Sequence, residues 1–237
     1  MAARARKAGR DARRRTRPAG LRESAPPENP SIVEYHRFIG GVARSVGDRP
    51  PVLVGHDLGG LYALTYALAH PGGVRGLVLL NTTIYPDPAV ALGLLPLLAP
   101  GFGEAYSWLA GRARWRAVVA RELRTLYPPE SPDEVVAALV EPYARSGAWL
   151  AIVRAFRGLS PARVLVWKAR MPGLTVPVLV LWGRVDPYFP ASVPERLSRD
   201  LPRARLEYLA GAGHFPMLSR PDEVADSVRR FVLGLGA

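Results

Sequence analysis

Residues 51–83 read PVLVGHDLGGLYALTYALAHPGGVRGLVLLNTT. Two short apolar runs, Pro51–Gly55 and Val74–Thr83, frame an Ala/Leu-rich stretch, Leu61–His70, that Pro71 stops. An apolar run of this length without polar alternation reads as a strand buried on both faces, as in parallel sheets covered by helices on each side. Strand, tight turn, helix and strand in this order make a βαβ unit. The rhythm returns near the C-terminus. A strand over Val176–Gly183 leads into the loop RVDPYFP and the short helix SVPERLSRD, and a strand over Ala204–Gly211 leads into AGHFPML and the amphipathic RPDEVADSVRRFVLGL. Upstream, SIVEYHRFIGGVARSVG places Ile32, Tyr35, Phe38, Ile39 and Val42 at helical spacing, with Ser31 as its N-cap. The fold class expected is α/β, a mostly parallel sheet flanked by helices.

Between Pro86 and Met171 the pattern changes to Pro-punctuated helical sequence rich in Trp, Tyr, Arg and Leu. This segment, including VWKAR, is expected to be an inserted helical lobe over 86–171. The α/β core then comprises 23–85 and 172–237, and 1–22 form a basic, disordered tail. Those 22 residues hold nine Arg or Lys against the single acid Asp11, which accounts for +8 of the net charge of +12. They contain no aromatic side chain on which a base could stack, so a specific nucleic-acid reader is not expected. No uninterrupted apolar stretch reaches the roughly 18 residues that a membrane span needs. The chain has no cysteine, which removes disulfide and thiol chemistry and suits a cytoplasmic location. No metal-ligand constellation and no nucleotide-binding glycine loop is visible, and no cofactor is expected.

In open parallel sheets ligands bind beyond the carboxyl ends of the strands. Three loops leave such ends here and carry Asp57, Asp186 and His214, spaced 129 and then 28 residues apart. Gly55-His56-Asp57-Leu58-Gly59 fits the strand–turn–helix pattern G-x-nucleophile-x-G, in which the two glycines remove side chains that would clash as the chain reverses. The backbone N–H of Leu58, at the helix start, is free to stabilise an oxyanion. The bland alternative is that Asp57 only caps the helix. Asp186, before Pro187, either orients a histidine or bonds its own backbone in a turn. His214 is the one histidine of four in a post-strand loop at this end; His36 lies on a helix, His56 precedes Asp57 and His70 ends a helix.

On the loops GHDLGG, LWGRVDP and GAGHFP, and on the helical insertion, the chain from about Ser31 to its end resembles the α/β-hydrolase fold family. Aspartate at the elbow resembles the subgroup containing epoxide hydrolases and haloalkane dehalogenases. That resemblance implies an Asp57 nucleophile that forms an ester with an sp³ carbon of a small hydrophobic substrate. His214, held by Asp186, then activates water, and the Leu58 N–H holds the oxyanion. Epoxide opening further implies a cap tyrosine as acid, with Tyr143 the first choice beside Tyr127 and Tyr106. Dehalogenation implies a tryptophan after the nucleophile, where this chain has Leu58; Trp149, Trp108, Trp115 or Trp167 would have to substitute. LVLLNT and the stretch around EPYARSG look somewhat like dehalogenases, but the balance tilts to an epoxide hydrolase-like activity. The family also has strands and an "HG" loop before the elbow, supplying a second oxyanion donor, and no HG pair precedes Asp57. The core is therefore expected to be N-terminally incomplete, with four strands and an apolar edge. An inactive, truncated relative is the remaining reading.

Overall fold

The computed structural model describes residues 31–85, 131–140, 148–158 and 161–236, with isolated positions between 99 and 128. The elements run α1 (Ile32–Val46), β1 (Val52–His56), α2 (Leu58–Ala69), β2 (Gly76–Leu80), α3 (Asp133–Val140), α4 (Ala148–Arg157), α5 (Pro161–Arg170), β3 (Val178–Gly183), α6 (Ser192–Asp200), β4 (Ala204–Leu209), α7 (Pro216–Ser219) and α8 (Pro221–Gly234). The four strands form one parallel sheet in the order β1-β2-β3-β4. The expected tail, residues 1–22, lies outside the described residues.

The side-chain alternation of the strands explains why their sequences do not alternate in polarity. Leu77 and Leu79 of β2, with Val178, Val180 and Trp182 of β3, pack against Leu61, Leu64 and Leu68 of α2. The intervening Val78, Leu80, Leu179 and Leu181 pack on the other face against Val224 and Phe231 of α8. Both faces are covered, so every position must be apolar. β2 and β3 are buried throughout. Among the described residues β1 has a strand neighbour on one side only, and Val54 is 53% exposed there.

Strand ends are shorter than the apolar runs, each for a local reason. β3 begins after Pro177, which has no N–H to give the ladder. β2 stops before Asn81, whose φ of 36° turns the chain out of the sheet. At α1 the Glu34 N–H donates to Ser31 Oγ at 3.3 Å, the expected N-cap, while the Glu34 carboxylate pairs with Arg37 at 3.0 Å instead of reaching back to close a capping box.

The helices α3, α4 and α5 all fall between β2 and β3, within the expected insertion, and VWKAR lies in α5. Trp167 packs with Ile32, Tyr35 and Tyr62 and makes an edge contact with His36, which makes it a packing residue. Trp108 is exposed. Among the described residues no helix is long and apolar enough to cross a membrane. No group of three or more His, Asp and Glu that could hold a metal occurs among them either.

α1 is fixed to α2 by a polar contact in an apolar setting. His36 Nε2 lies 3.0 Å from Thr65 Oγ1, and that hydroxyl donates to the Leu61 carbonyl at 2.9 Å. Burial, aided by the nearby His70, lowers the His36 pKa from the ordinary 6.5 to about 4. Burial and the charge of His214 likewise lower His56 to about 4. The unfolded chain takes up these protons near pH 6.5 and the folded chain only near pH 4, so below 6.5 the unfolded state binds more. The melting temperature should therefore fall as pH is lowered from about 6.5 to about 4. A melting curve series should show His36→Phe flattening that slope relative to the parent.

Candidate active site

The register of the sheet brings four polar residues to one edge. His56 pairs with Leu80, Leu80 with Leu181, and Gly183 with Leu209, so Asp57, Asn81, Asp186 and His214 all follow the carboxyl ends of adjacent parallel strands.

The turn at Asp57 is strained. Its φ of 50° and ψ of −124° lie outside the regions a side chain prefers, a cost of about 1–3 kcal/mol. Three donors converge on its carbonyl and hold it there: Thr82 Oγ1 at 2.6 Å, the Gly60 N–H at 2.9 Å and the Leu61 N–H at 3.2 Å. A Cβ on Gly55 would lie 2.5 Å from the Gly59 carbonyl, so the chain can reverse only over a glycine. The second required glycine is Gly60 and not Gly59. A Cβ at Gly60 would fall 2.6 Å from Thr82 Cβ, whereas one at Gly59 would meet nothing within 4 Å. Helix α2 approaches the end of β2 at Gly60, and that approach excludes the side chain.

The Asp57 side chain makes no ordinary cap hydrogen bond to α2, and the helix-start group that acts on its carboxyl is the Leu58 N–H. Burial raises the pKa of its carboxyl. The charge of His214 and the Leu58 N–H act in the opposite sense, and the charge of Asp186 adds to the rise. Asp57 is half-buried, and its carboxyl feels both the His214 charge and the helix-start N–H.

His214 is 7% exposed and its Nδ1–H donates to Asp186 Oδ2 at 3.0 Å. In the neutral ring that bond leaves Nε2 unprotonated and able to take a proton. The Asp186 carboxylate is buried and fully engaged. Oδ2 also accepts from Asn81 Nδ2 at 2.7 Å, and Oδ1 accepts from the N–H groups of Tyr188 at 2.8 Å and Phe189 at 3.3 Å. Burial alone would raise the Asp186 pKa. The hydrogen bonds from His214 and Asn81, the His214 charge and the Tyr188 N–H outweigh it and hold the group below the ordinary carboxylate range. The turn-aspartate and histidine-orienting roles weighed for Asp186 are both present, one on each oxygen.

Asn81, a residue to which the sequence assigned no role, joins the loops. Besides Asp186, its Nδ2 lies 3.4 Å from the Gly213 carbonyl, and its Oδ1 accepts from the Gly183 N–H at 3.0 Å. The signal for it was an amide side chain directly after a buried strand, since asparagine tolerates positive φ and both donates and accepts. Of the lobe candidates, Tyr127 stacks on Phe215 at 4.6 Å between ring centroids, next to His214. Tyr143 and Tyr106 lie outside the described residues, as does Trp115. Trp149 is on α4, and its side chain is outside the described part.

A sequence profile of the alpha/beta hydrolase family matches residues 9–227. The chain belongs to that family. Among curated relatives it is 31% identical over 200 residues to a pimeloyl-[acyl-carrier protein] methyl ester esterase of Neisseria meningitidis, spanning 82% of this chain and 73% of the relative. It is 30% identical over 196 residues to polyketide synthase ThaQ of Burkholderia thailandensis, covering 78% of this chain and 9% of that protein. Among solved structures, a hydrolase from Pseudomonas aeruginosa superposes with a TM-score of 0.70 at 22% identity, over 90% of this chain and 77% of the other. E-2-(acetamidomethylene)succinate hydrolase gives 0.68 at 23% identity, over 90% and 78%. At these identities the structures show a common fold. The expected α/β-hydrolase architecture and hydrolase class hold. The esterase names among the relatives do not extend to the epoxide hydrolase and dehalogenase subgroup, for which Asp57 itself is the argument.

The elbow yields a test that needs no substrate. Gly60→Ala should destabilise the protein by about 1–3 kcal/mol through overpacking against Thr82. Gly59→Ala, in open space on a helix, should be neutral or stabilising by up to about 1 kcal/mol. Urea unfolding midpoints of the two variants against the parent check both signs.

Proposed function

We propose that this hydrolase acts through an aspartate nucleophile, Asp57, and a covalent alkyl ester, and that its substrates are small apolar epoxides. The observation that carries the reading is a carboxylate at the strained elbow, backed by the Leu58 N–H and electrostatically coupled to His214. A carboxylate needs no base to act as a nucleophile. Its attack on an epoxide carbon forms an Asp57–carbon ester and breaks the ring C–O bond, and the freed oxygen takes a proton from a lobe tyrosine. Tyr127, stacked beside the histidine loop, supports that assignment, and Tyr143 is the other candidate. Water then attacks the ester carbonyl of Asp57 and gives its proton to His214 Nε2, while Asp186 stabilises the resulting imidazolium. The Leu58 N–H holds the oxyanion. Collapse breaks the acyl C–O bond and the alkoxide takes the proton held by His214 to become a hydroxyl. The second hydrogen of the attacking water, left on the Asp57 carboxyl, passes to the tyrosinate, which restores both the Asp57 carboxylate and the tyrosine. The rings of Tyr188, Phe189 and Phe215 around His214 favour an apolar substrate.

Two neighbouring reactions fit less well. Dehalogenation needs donors to the departing halide, and the Leu58 side chain supplies none. Ester hydrolysis is favoured by the names of the relatives. Attack of Asp57 on an ester carbonyl, however, would give an anhydride, a more activated acyl group than the substrate.

His214→Gln should form the ester and fail to release it. Intact mass spectrometry after exposure to a panel of epoxides, haloalkanes and methyl esters separates the readings. Gain of a whole substrate mass, absent in Asp57→Asn, identifies an epoxide; gain of substrate less hydrogen halide identifies a haloalkane. No adduct across the panel, with methyl-ester turnover by the parent, would overturn the proposal in favour of ester hydrolysis.

A further inference from the structure

His214 leaves the far side of the sheet from the residue it must serve. Its loop follows β4, whereas Asp57 follows β1. Three strand intervals separate them, roughly 14 Å at the usual spacing. The loop is fastened at each strand it crosses. The Ala212 carbonyl accepts from the Val185 N–H at 3.0 Å, just past β3. The Gly213 carbonyl lies 3.4 Å from Asn81 Nδ2, at the end of β2. The His214 carbonyl accepts from His56 Nε2 at 2.8 Å, at the end of β1. Three successive carbonyls thus meet three successive strands, and the last contact falls on the histidine itself.

We propose that His56 is a positioning residue that sets the place of the His214 ring over Asp57 by holding the His214 carbonyl. This rests on the Asp57 ester reading for its kinetic consequence, though not for the contact. A carbonyl can only accept, so His56 Nε2 carries the proton and cannot act as a base. The ring packs 4.8 Å from His214 and 5.2 Å from Phe215, which fixes its orientation. Its side chain extends from β1 on the face of Val52, which packs with the α8 layer, while Leu53 faces the α2 layer. His56 therefore reaches the histidine loop from the side of the sheet opposite to the elbow helix. The G-x-nucleophile-x-G pattern carries this residue as its first x, so one five-residue turn supplies the nucleophile, the oxyanion N–H and the fastening of the base.

Ester formation does not use His214, and ester hydrolysis does. His56→Leu should leave the rate of Asp57 alkylation within about 2-fold of the parent and slow release of the ester by about 10-fold or more, as expected when a buried carbonyl loses its donor. Ester should then accumulate during turnover to a higher level than in the parent. His56→Gln, which keeps an N–H donor, should restore release. A residue that served only stability would slow both steps together. Histidine-selective nitrogen NMR reads the contact without substrate. The His214 Nδ1–H resonance, displaced by its bond to Asp186, should move in His56→Leu and return in His56→Gln. An unmoved resonance in a folded His56→Leu protein would overturn the proposal whatever the substrate. A moved resonance with equal slowing of both steps would overturn its kinetic part. Failure of His214→Gln to trap any ester would overturn the aspartate reading while the resonance still decided the contact.

Discussion

The Asp57 carbonyl is the point on which the arrangement turns. The backbone there is held at positive φ, and three hydrogen bonds converge on one oxygen to keep it so. Two of those donors come from the first turn of α2 and the third from Thr82, just past β2. The elbow is thereby fastened to the neighbouring strand as well as to its own helix. Gly60 must lack a side chain for the same reason, because Thr82 occupies the space a Cβ would need. Strain of this kind persists only where the surroundings over-determine it. Here it lifts a carboxyl above the sheet with its own helix-start N–H beside it.

The two carboxylates of the site then differ by environment alone. Asp186 is buried but surrounded by donors, and it is held below the ordinary carboxylate range. Asp57 is half-buried, lacks that set of donors, and is pushed up. Carboxylates driven apart in this way take different roles. The low one suits a fixed counter-charge for the imidazolium; for the high one, the His214 charge and the Leu58 N–H are the interactions that favour the ionised form a nucleophile needs. Asn81 belongs to this division: its amide donates to Asp186 and its oxygen accepts from Gly183, which ties the acid loop to the end of β2.

Much of this was legible in the sequence. The buried strands announced a parallel sheet because continuous apolar runs are needed where both faces are covered. A parallel sheet in turn places every post-strand loop at one edge. That geometry is what made Asp57, Asp186 and His214 candidates for one site. What was not legible concerns contacts between loops. The choice between Gly59 and Gly60 depended on where Thr82 would stand, and the partners of Asn81 and His56 lie 105 and 158 residues away. The tyrosines and tryptophans of the insertion could be named only as alternatives, because a Pro-broken helical segment carries no period that orients its aromatic side chains. Of these, Trp167 proved to be packing, and Tyr127 reached the histidine loop.

Identity of the nucleophile is the central claim, and oxygen labelling addresses it most directly. A single turnover in ¹⁸O-water, with enzyme in excess over an epoxide that alkylates the His214→Gln variant, is followed by digestion and mass analysis of the peptide bearing Asp57. The account predicts that the heavy oxygen enters the Asp57 carboxylate while the diol product carries none. Label in the product with an unlabelled Asp57 would mean that water attacks the substrate directly, and would contradict it.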